Sequence, residues 1–313
     1  MAPTTITTTT TTNAAQKRLW FTAATENDSV VQGPPKKRMV KGMSLLEWGI
    51  LCKDNGIKYS GLRADRPRPH PMRSWPESGL RPKLINAVDP FGDRDPLPIQ
   101  MVAVPLGVQQ RDLIALCAPV PGKITAYLLP MLQHICHCSR LDREACSHPL
   151  AVIVVPNRQL AEKVARVMER LSRYMVDVKV SLILDEGDAL NKLGRGSHVI
   201  VGTVDQLGKC IERSTLVMRQ SCGYLIMDEA DYMVEMGFDK ELEAMLKAMP
   251  RRRTIHVYTE TMPTSLEKLT RRHLHDPINV AVDREVSKAL EQRASEKKVQ
   301  MLKKRAAAKL LFH

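Results

Sequence analysis

The chain has 313 residues, of which 43% are hydrophobic and 4% aromatic, and its formal net charge is +13. This length allows one full domain with tails, built around an aliphatic core. The sequence contains no run of about 18 apolar residues and no apolar stretch behind its N-terminus, which excludes a transmembrane helix and a secretory signal. Seven scattered cysteines indicate free thiols in a reducing compartment, and the positive charge favours polyanionic partners such as nucleic acid.

Residues 1–62 begin with a threonine-rich stretch that lacks apolar periodicity, and we predict that they form a disordered tail. A basic cluster behind two prolines lies within this tail, at residues 34–41 (PPKKRMVK). A short, exposed basic cluster of this kind suits a nuclear-import receptor, so we predict a nuclear location. The alternative is an incidental basic patch.

Residues 63–283 are predicted to form one folded domain, in which short apolar runs alternate with helical stretches. Such alternation predicts an α/β fold whose parallel sheet is covered by helices on both faces. The predicted strands are Asp112–Cys117, Ala151–Val155, Val178–Leu184, His198–Val201, Tyr224–Met227 and Thr254–Tyr258. The predicted helices are Lys123–His137, Arg158–Tyr174, Val204–Cys210, Lys240–Met249 and Ser265–His273.

Residues 284–313 carry nine Lys or Arg residues against three Glu, without any strand pattern. This composition predicts a basic helical tail. The lysines and arginine at 297–298 and 303–305 would bind RNA phosphates or an acidic protein surface. A solvated helix is the alternative.

The predicted strand at Tyr224–Met227 leads directly into Asp228, Glu229, Ala230 and Asp231. In nucleotide hydrolases the first acid after such a strand holds hydrated Mg²⁺, and the second polarises the attacking water. A buried strand followed by Asp-Glu-Ala-Asp resembles the second motif of the DEAD-box RNA helicases.

Other motifs of that family occur in the same order along the chain. Pro96–Gln100 resembles the Q motif, and Pro156–Ala161 resembles the Pro-Thr-Arg-Glu-Leu-Ala motif. Met236–Phe238 follows the acidic motif as it does in the family, and Thr259–Pro263 occupies the place of Ser-Ala-Thr-Met-Pro. The resemblance implies the first RecA-like lobe of such a helicase, with a P-loop NTPase type of fold.

The resemblance also implies roles for eight residues. Those implied to bind nucleotide are Gln100, which would contact the adenine edge, Gly122 and Lys123. Those implied to bind RNA are Pro156, Arg158 and Thr203. Asp228 and Glu229 are the remnant catalytic acids, and Asp228 is also the implied magnesium ligand.

One segment points to a branch of the family. Pro71–Leu80, with the sequence PMRSWPESGL, is similar to the segment that leads into the spliceosomal helicase associated with the U-five particle. The resemblance therefore implies RNA and spliceosomal ribonucleoprotein proteins as partners, and it implies no membrane partner.

The phosphate loop departs from the family pattern Ala-x-Thr-Gly-Ser-Gly-Lys-Thr, because residues 117–124 read CAPVPGKI. Val120 replaces a glycine and resists a positive φ. Pro119 and Pro121 each remove an N–H donor that would point at phosphate. Ile124 replaces the hydroxyl that binds magnesium. ATP and magnesium would therefore bind only weakly.

Other departures lie in the remaining motifs. Thr125 is one position too late to replace the missing hydroxyl, and we expect it to point elsewhere on the helix. Glu260 replaces an alanine and would repel the acidic motif and phosphate. Asp205 adds an acid to the motif that begins at Thr203, and Asp93 stands where an aromatic side chain usually stacks on adenine.

Nothing after Asp283 resembles the second RecA-like lobe that closes over ATP and RNA in this family. We therefore predict a non-catalytic module that binds RNA or ribonucleoprotein in pre-mRNA splicing. One alternative is a weak ATP-binding or ATPase helicase subunit that is completed by a second lobe in trans. Another is a decaying gene copy or an incomplete gene model.

Six potential soft metal ligands occur between His134 and His148. Zinc needs four such ligands in tetrahedral arrangement. The spacing matches no standard zinc pattern, so a chance cluster at a helix end and loop is favoured, and zinc remains the alternative.

Overall fold

The computed structural model describes residues 43–60, 69–88, 95–120, 122–138, 148–174, 178–185, 196–213, 216–218, 222–293 and 296. A compact unit begins at Leu45 and includes all the elements below. Within the described ranges, no helix combines the length and the apolar character needed to cross a membrane.

An eight-stranded sheet organises this unit, with the strand order β1-β8-β2-β7-β6-β3-β5-β4. Neighbouring strands are parallel from β8 to β4, whereas β1 runs antiparallel to β8. The parallel strands all finish at one end of the sheet, the carboxyl end, and all start at the opposite, amino end. The strands are β1 (Ile57–Ser60), β2 (Leu113–Leu116), β3 (Ala151–Val155), β4 (Val180–Ile183), β5 (Val199–Thr203), β6 (Tyr224–Asp228), β7 (Thr254–Thr259) and β8 (Ile278–Val282).

Helices cover both faces of the sheet, as the alternating pattern predicts. They are α1 (Leu45–Asp54), α2 (Pro82–Val88), α3 (Pro98–Val108), α4 (Lys123–Cys138), α5 (Arg158–Ser172), α6 (Val204–Glu212), α7 (Ala230–Glu235), α8 (Asp239–Ala248) and α9 (Thr264–His273). A 3₁₀ helix spans Trp75–Ser78, and residues 284–293 are helical.

The core has two parts, one on each face of the sheet. Alternate residues of β3 show this division, because Ala151, Ile153 and Val155 belong to one cluster while Val152 and Val154 belong to the other. The first cluster includes the buried faces of α2 to α5, and the second includes those of α6 to α9. The predicted α/β fold with a doubly covered sheet is confirmed.

The predicted strands and helices all form, with ends that shift by up to two residues. The prediction that a structureless tail extends to residue 62 is wrong, because α1 and β1 lie inside it. Helix α1 buries none of its side chains, so it shows no apolar periodicity that would have revealed it. Strand β1 has only four residues and buries only Ile57. The sequence prediction also omitted β8.

Several predictions concern residues outside the described ranges. These are the basic cluster at 34–41, Asp93, Pro121, Cys146 and the cations beyond residue 296.

Candidate nucleotide and RNA site

The acidic motif lies at the carboxyl end of β6, in the middle of the sheet. All five residues of β6 are buried, and Asp228 at its end is fully buried. The chain then turns sharply into α7 through Glu229, whose φ is 56°. A positive φ is strained for a residue other than glycine, and such strain is common at functional sites.

The phosphate loop connects β2 to α4 and approaches Asp228 from the neighbouring part of the sheet. Gly122 has a φ of 77°, and a Cβ there would lie 2.7 Å from Gln100 Nε2, so this glycine is required. Val120, which replaces a family glycine, is 7% exposed and packs into the core. Its carbonyl accepts the Lys123 amide at 3.4 Å, so this amide points at the loop itself.

An ion pair joins the phosphate loop to the acidic motif. Lys123 Nζ lies 2.7 Å from Asp228 Oδ1, and the side chains are 8% and 0% exposed. The Tyr127 hydroxyl donates to Asp228 Oδ2 at 3.1 Å, so both oxygens of this carboxylate are engaged. Burial lowers the pKa of Lys123, but the charge and hydrogen bond of Asp228 outweigh it and raise the pKa overall.

Gln100 lies beneath the phosphate loop rather than on the cavity wall, and it is fully buried. Its Oε1 accepts the Leu97 amide at 2.8 Å, and its Nε2 donates to Thr125 Oγ1 at 2.8 Å. The Thr125 hydroxyl in turn donates to Gly122 O at 2.9 Å. The Thr125 hydroxyl is thus bonded to Gly122 and Gln100, and Gln100 holds the loop in place.

Asp231 ties the acidic motif to the end of β7. Its Oδ2 accepts the Thr261 amide at 2.7 Å, the Thr261 hydroxyl at 3.0 Å and the Glu260 amide at 3.1 Å. Burial raises the pKa of Asp231, but the hydrogen bonds from Thr261 outweigh it and lower the pKa overall. The Asp231 amide also donates to Thr259 Oγ1 at 3.2 Å. This network fixes the acidic motif against residues 259–261.

A cavity of about 340 Å³ opens between these motifs, and four carboxylates and one lysine contribute to its wall. Glu260 lies there beside the acidic motif, as expected, and also pairs with Arg284 at 3.8 Å. Burial raises the pKa of Glu229, and nearby Lys123 lowers it, with a net rise. The lining residues are Cys117, Pro119, Lys123, Glu229, Asp231, Tyr232, Glu235, Thr259, Glu260 and Thr261.

The three residues implied to bind RNA lie side by side at the carboxyl end of the sheet. Strands β3 and β5 are parallel neighbours, and their register pairs Val155 with Thr203. Pro156 directly follows β3, and Arg158 begins α5 with an exposed side chain that pairs with Glu162 at 2.9 Å. The structure therefore brings Pro156, Arg158 and Thr203 together.

The acid predicted to disturb this RNA surface lies in the first turn of α6. Asp205 Oδ2 lies 3.0 Å from Lys209 Nζ, and it also accepts from Gln206. Its charge is therefore partly balanced on the same helix.

The sequence prediction missed Tyr127 and the buried polar chain behind it. The ring of Tyr127 lies 5.2 Å from that of Tyr258, and the Tyr258 hydroxyl lies 3.5 Å from His256 Nδ1. His256 continues to the Tyr224 hydroxyl at 3.1 Å. The spacing of Lys123 and Tyr127, one helical turn apart, was the available signal that both face the same neighbour.

The proposed zinc ligands do not converge where they are described. Among the described residues, no group of three or more His, Cys, Asp or Glu side chains is arranged to hold a metal ion. Cys138 Sγ lies 3.7 Å from His134 Nε2, and His137 Nε2 lies 3.3 Å from Gln133.

Comparison with known proteins identifies similar folds and sequences. The RNA helicase Prp28 from Chaetomium thermophilum, crystallised with ADP, is 30% identical with a TM-score of 0.65, over 79% of this chain and 58% of that protein. Yeast Prp28, at 24% identity and a TM-score of 0.67, shares the fold over 78% of this chain and 58% of its own.

Curated relatives match over similar lengths. DEAD-box ATP-dependent RNA helicase 21 from Oryza sativa subsp. japonica is 33% identical over 262 residues, which are 77% of this chain and 35% of the relative. The pre-mRNA-splicing ATP-dependent RNA helicase PRP28 from Coccidioides immitis is 34% identical over 268 residues, covering 75% and 32%. The chain thus spans about a third of the length of these relatives.

The sequence pattern that defines the DEAD/DEAH box helicases matches residues 97–269. This range extends from the Q motif through the phosphate loop and the acidic motif to α9. The RecA-like fold and the order of these motifs agree with that match. The chain therefore belongs to the DEAD/DEAH box helicase family.

Proposed function

We propose that this chain is a non-catalytic DEAD-box module that binds RNA or ribonucleoprotein in pre-mRNA splicing, in the nucleus. The engagement of Asp228 carries this proposal, because its Oδ1 forms an ion pair with Lys123 and its Oδ2 accepts a hydrogen bond from Tyr127. The buried acid and lysine already neutralise each other, so a metal ion or a phosphate would have to compete with this pair. Separation would leave each charge desolvated and unpaired.

The donors around the cavity do not fit a magnesium nucleotide. Magnesium needs near-octahedral oxygen ligands. Ile124 supplies no oxygen, and the Thr125 hydroxyl is bonded to Gly122 and Gln100. Pro119 has no N–H to offer a phosphate. We therefore assign no ATP-dependent step to these residues.

The charge around the cavity acts in the same direction. Glu229, Asp231, Glu235 and Glu260 line it, and its single lysine is already paired. A nucleotide brings several negative charges, which such a lining repels because Coulomb energies are large where water is partly excluded.

The RNA-binding part of the proposal rests on residues at the carboxyl ends of β3 and β5, which lie beyond β6 and the acidic motif. Pro156, Arg158 and Thr203 lie at the ends of adjacent strands, and α5 begins there. The exposed amides and positive dipole of a helix N-terminus favour phosphate. The link to splicing and to the nucleus comes from relatives that are named as pre-mRNA-splicing helicases.

A second candidate is a weak ATP-binding or ATPase subunit completed by a second lobe in trans. Lys123, Asp228 and Glu229 are retained and meet at one end of the sheet. The similar Prp28 protein from Chaetomium thermophilum was crystallised with ADP. Nucleotide binding of this kind would require Lys123 to move from Asp228 to a phosphate.

Nucleotide titration of the purified chain by calorimetry, with and without magnesium, separates the two candidates. We expect no binding up to about 1 mM ATP. The matched control is the variant Pro119→Thr/Val120→Gly/Pro121→Ser/Ile124→Thr, which restores the family loop and should gain magnesium-dependent binding. Micromolar, magnesium-dependent binding by the unchanged chain would favour the second candidate, as would RNA-stimulated hydrolysis that Asp228→Asn abolishes.

Affinity purification from nuclear extract tests the link to splicing. We expect spliceosomal ribonucleoprotein components and RNA to co-purify with the chain. An Arg158→Glu variant should recover less RNA. Consistent absence of spliceosomal components would contradict the splicing assignment.

A further inference from the structure

The amino end of the sheet, opposite the cavity, carries a cluster of exposed cations. Helix α8 and helix α9 both finish at this end, and the loop after α8 leads into β7 there. We define the amino-end patch by six residues that these segments contribute. Lys247, Arg251, Arg252, Arg271 and Arg272 are exposed, and Arg253 is half-buried.

Hydrogen bonds hold the segments of this patch together. Arg253 donates from Nη2 to His273 O at 2.9 Å and from Nη1 to Pro250 O at 3.2 Å. Glu243 Oε1 lies 2.7 Å from Arg272 Nη1 and 3.1 Å from Lys247 Nζ. The loop and both helix ends therefore form one surface with fixed spacing.

The patch keeps a net positive charge. Glu243 pairs with two of its cations, and Glu267 pairs with Arg271 at 2.7 Å. Arg251 makes no ion pair within the described part of the chain, and its side chain is exposed. Glu243, Glu267 and Asp112, whose charge acts on Arg253, thus face six cations, and the side chains of Arg271 and Lys247 are 80% and 65% exposed.

Helix ends account for only part of this charge. Cations in the last turn of a helix are stabilised by the helix dipole, which explains Lys247, Arg271 and Arg272. Arg251 and Arg252 lie in the loop beyond α8 and are both exposed. Exposed arginines outside a helix carry planar groups suited to phosphate.

The surroundings of the patch favour a phosphate backbone over a protein. Its region contains no exposed large hydrophobic side chain, because those of the described chain lie at Leu45, Leu46, Ile50, Tyr174, Tyr232 and Met236. Protein interfaces usually need a buried apolar centre, and sites that stack bases need exposed aromatic rings. Cations alone bind phosphates without sequence preference.

We propose that the amino-end patch binds the phosphate backbone of RNA, as a second RNA surface at the end of the sheet opposite Arg158. This inference rests on the proposed function only in that RNA is the ligand. An RNA that bound at both ends would run around the domain, and the patch would contribute affinity rather than sequence selection.

The test is fluorescence anisotropy of the full chain with a labelled single strand of about 20 uridines, at salt from about 50 to 200 mM. The charge-reversal variant Arg251→Glu/Arg252→Glu should bind about tenfold more weakly. Its plot of log affinity against log salt should be shallower by about 1.4, since each phosphate contact on a single strand contributes about 0.7. Circular dichroism checks that the variants are folded.

The matched control is Lys53→Glu/Lys58→Glu, which changes the net charge equally on exposed residues of α1 and β1. It should change affinity by less than about twofold. Equal weakening by both variants would overturn the proposal, because long-range attraction alone would then explain binding. Displacement of the RNA by a poly-glutamate peptide as readily as by unlabelled RNA would also overturn it, in favour of an acidic protein partner.

An Arg158→Glu variant separates this inference from the proposed function. If Arg158→Glu weakens RNA binding and Arg251→Glu/Arg252→Glu does not, the proposed function stands and RNA binding by the amino-end patch is refuted. If only Arg251→Glu/Arg252→Glu weakens RNA binding, the proposal for the amino-end patch stands and the RNA contact at the carboxyl end is refuted.

Discussion

The two ends of the sheet carry opposite charges and use them differently. At the carboxyl end, four carboxylates line the cavity, and Lys123 is buried against Asp228. At the amino end, the cations of the amino-end patch are largely exposed. Buried charges interact strongly, whereas exposed charges are screened by water and salt. The carboxyl end should therefore govern folding stability, and the amino end should govern binding of polyanions.

The largest effect should follow from Asp228→Ala. This change leaves the Lys123 ammonium buried without its partner and the Tyr127 hydroxyl without an acceptor. We expect a loss of about 3–5 kcal/mol in the free energy of unfolding, measured by urea denaturation. Adding Lys123→Met should recover part of that loss. A loss below about 1 kcal/mol would show that the pair behaves like a surface ion pair, and the contrast between the two ends would fail.

A smaller effect should appear on acidification, through His256 in β7 between the two ends. Burial lowers its pKa to about 3, although the hydrogen bond to Arg111 O raises it. The unfolded chain binds this proton near pH 6.5 and the folded chain does not, so stability falls as the pH falls from about 6.5 towards 3. Between pH 7 and pH 5 we expect a loss of about 2 kcal/mol from this residue.

The variant His256→Gln tests that dependence. Its free energy of unfolding, measured by urea denaturation across this pH range, should fall less steeply than that of the unchanged chain. Parallel curves for the two proteins would contradict the assignment.

Removing one hydroxyl group at the carboxyl end should reduce the stability of the fold by less than the two changes above. Tyr127→Phe deletes the hydrogen bond to Asp228 Oδ2 while keeping the ring in the core. We expect a loss of about 1 kcal/mol in thermal denaturation. The matched control is Tyr174→Phe, since Tyr174 is 42% exposed, and it should cause no measurable change. Equal losses of stability at both positions would show that the hydrogen bond from Tyr127 to Asp228 contributes nothing measurable.

The smallest effect on stability should come from the amino end. Replacing Arg251 and Arg252 by alanine removes two exposed side chains and should change the free energy of unfolding by less than about 0.5 kcal/mol. Urea denaturation measures this directly. A loss above about 1 kcal/mol would show that these arginines support the fold, and the division of roles between the two ends would no longer hold.

Sequence patterns identified the strands that are buried on both faces. Continuous apolar runs such as Ala151–Val155 and Tyr224–Met227 leave little choice of structure, and turn residues bound them. The order of the motifs also placed Lys123 and Asp228 in one site. Helix α1 escaped prediction because none of its side chains is fully buried and only Leu51 and Cys52 pack against the edge of the core.

Contacts between distant residues could not be predicted in this way. The bond between Tyr127 and Asp228 joins residues 101 positions apart, and that between Gln100 and Thr125 joins residues 25 apart. The positive charge was evident from composition, but the prediction assigned much of it to residues 284–313. Its concentration at the amino end depends on α8 and α9 finishing side by side, which only the fold reveals.

The antiparallel strand β1 has a consequence for the solubility of shortened forms of the chain. It covers the edge of β8, pairing Ile57 with Val282 and Ser60 with Asn279. An uncovered edge strand can pair with strands of other molecules, and short edge strands that carry lysine, as β1 does at Lys58, resist such pairing. A fragment that starts at residue 69 would expose β8 and its apolar side chains, so β1 protects the domain from self-association.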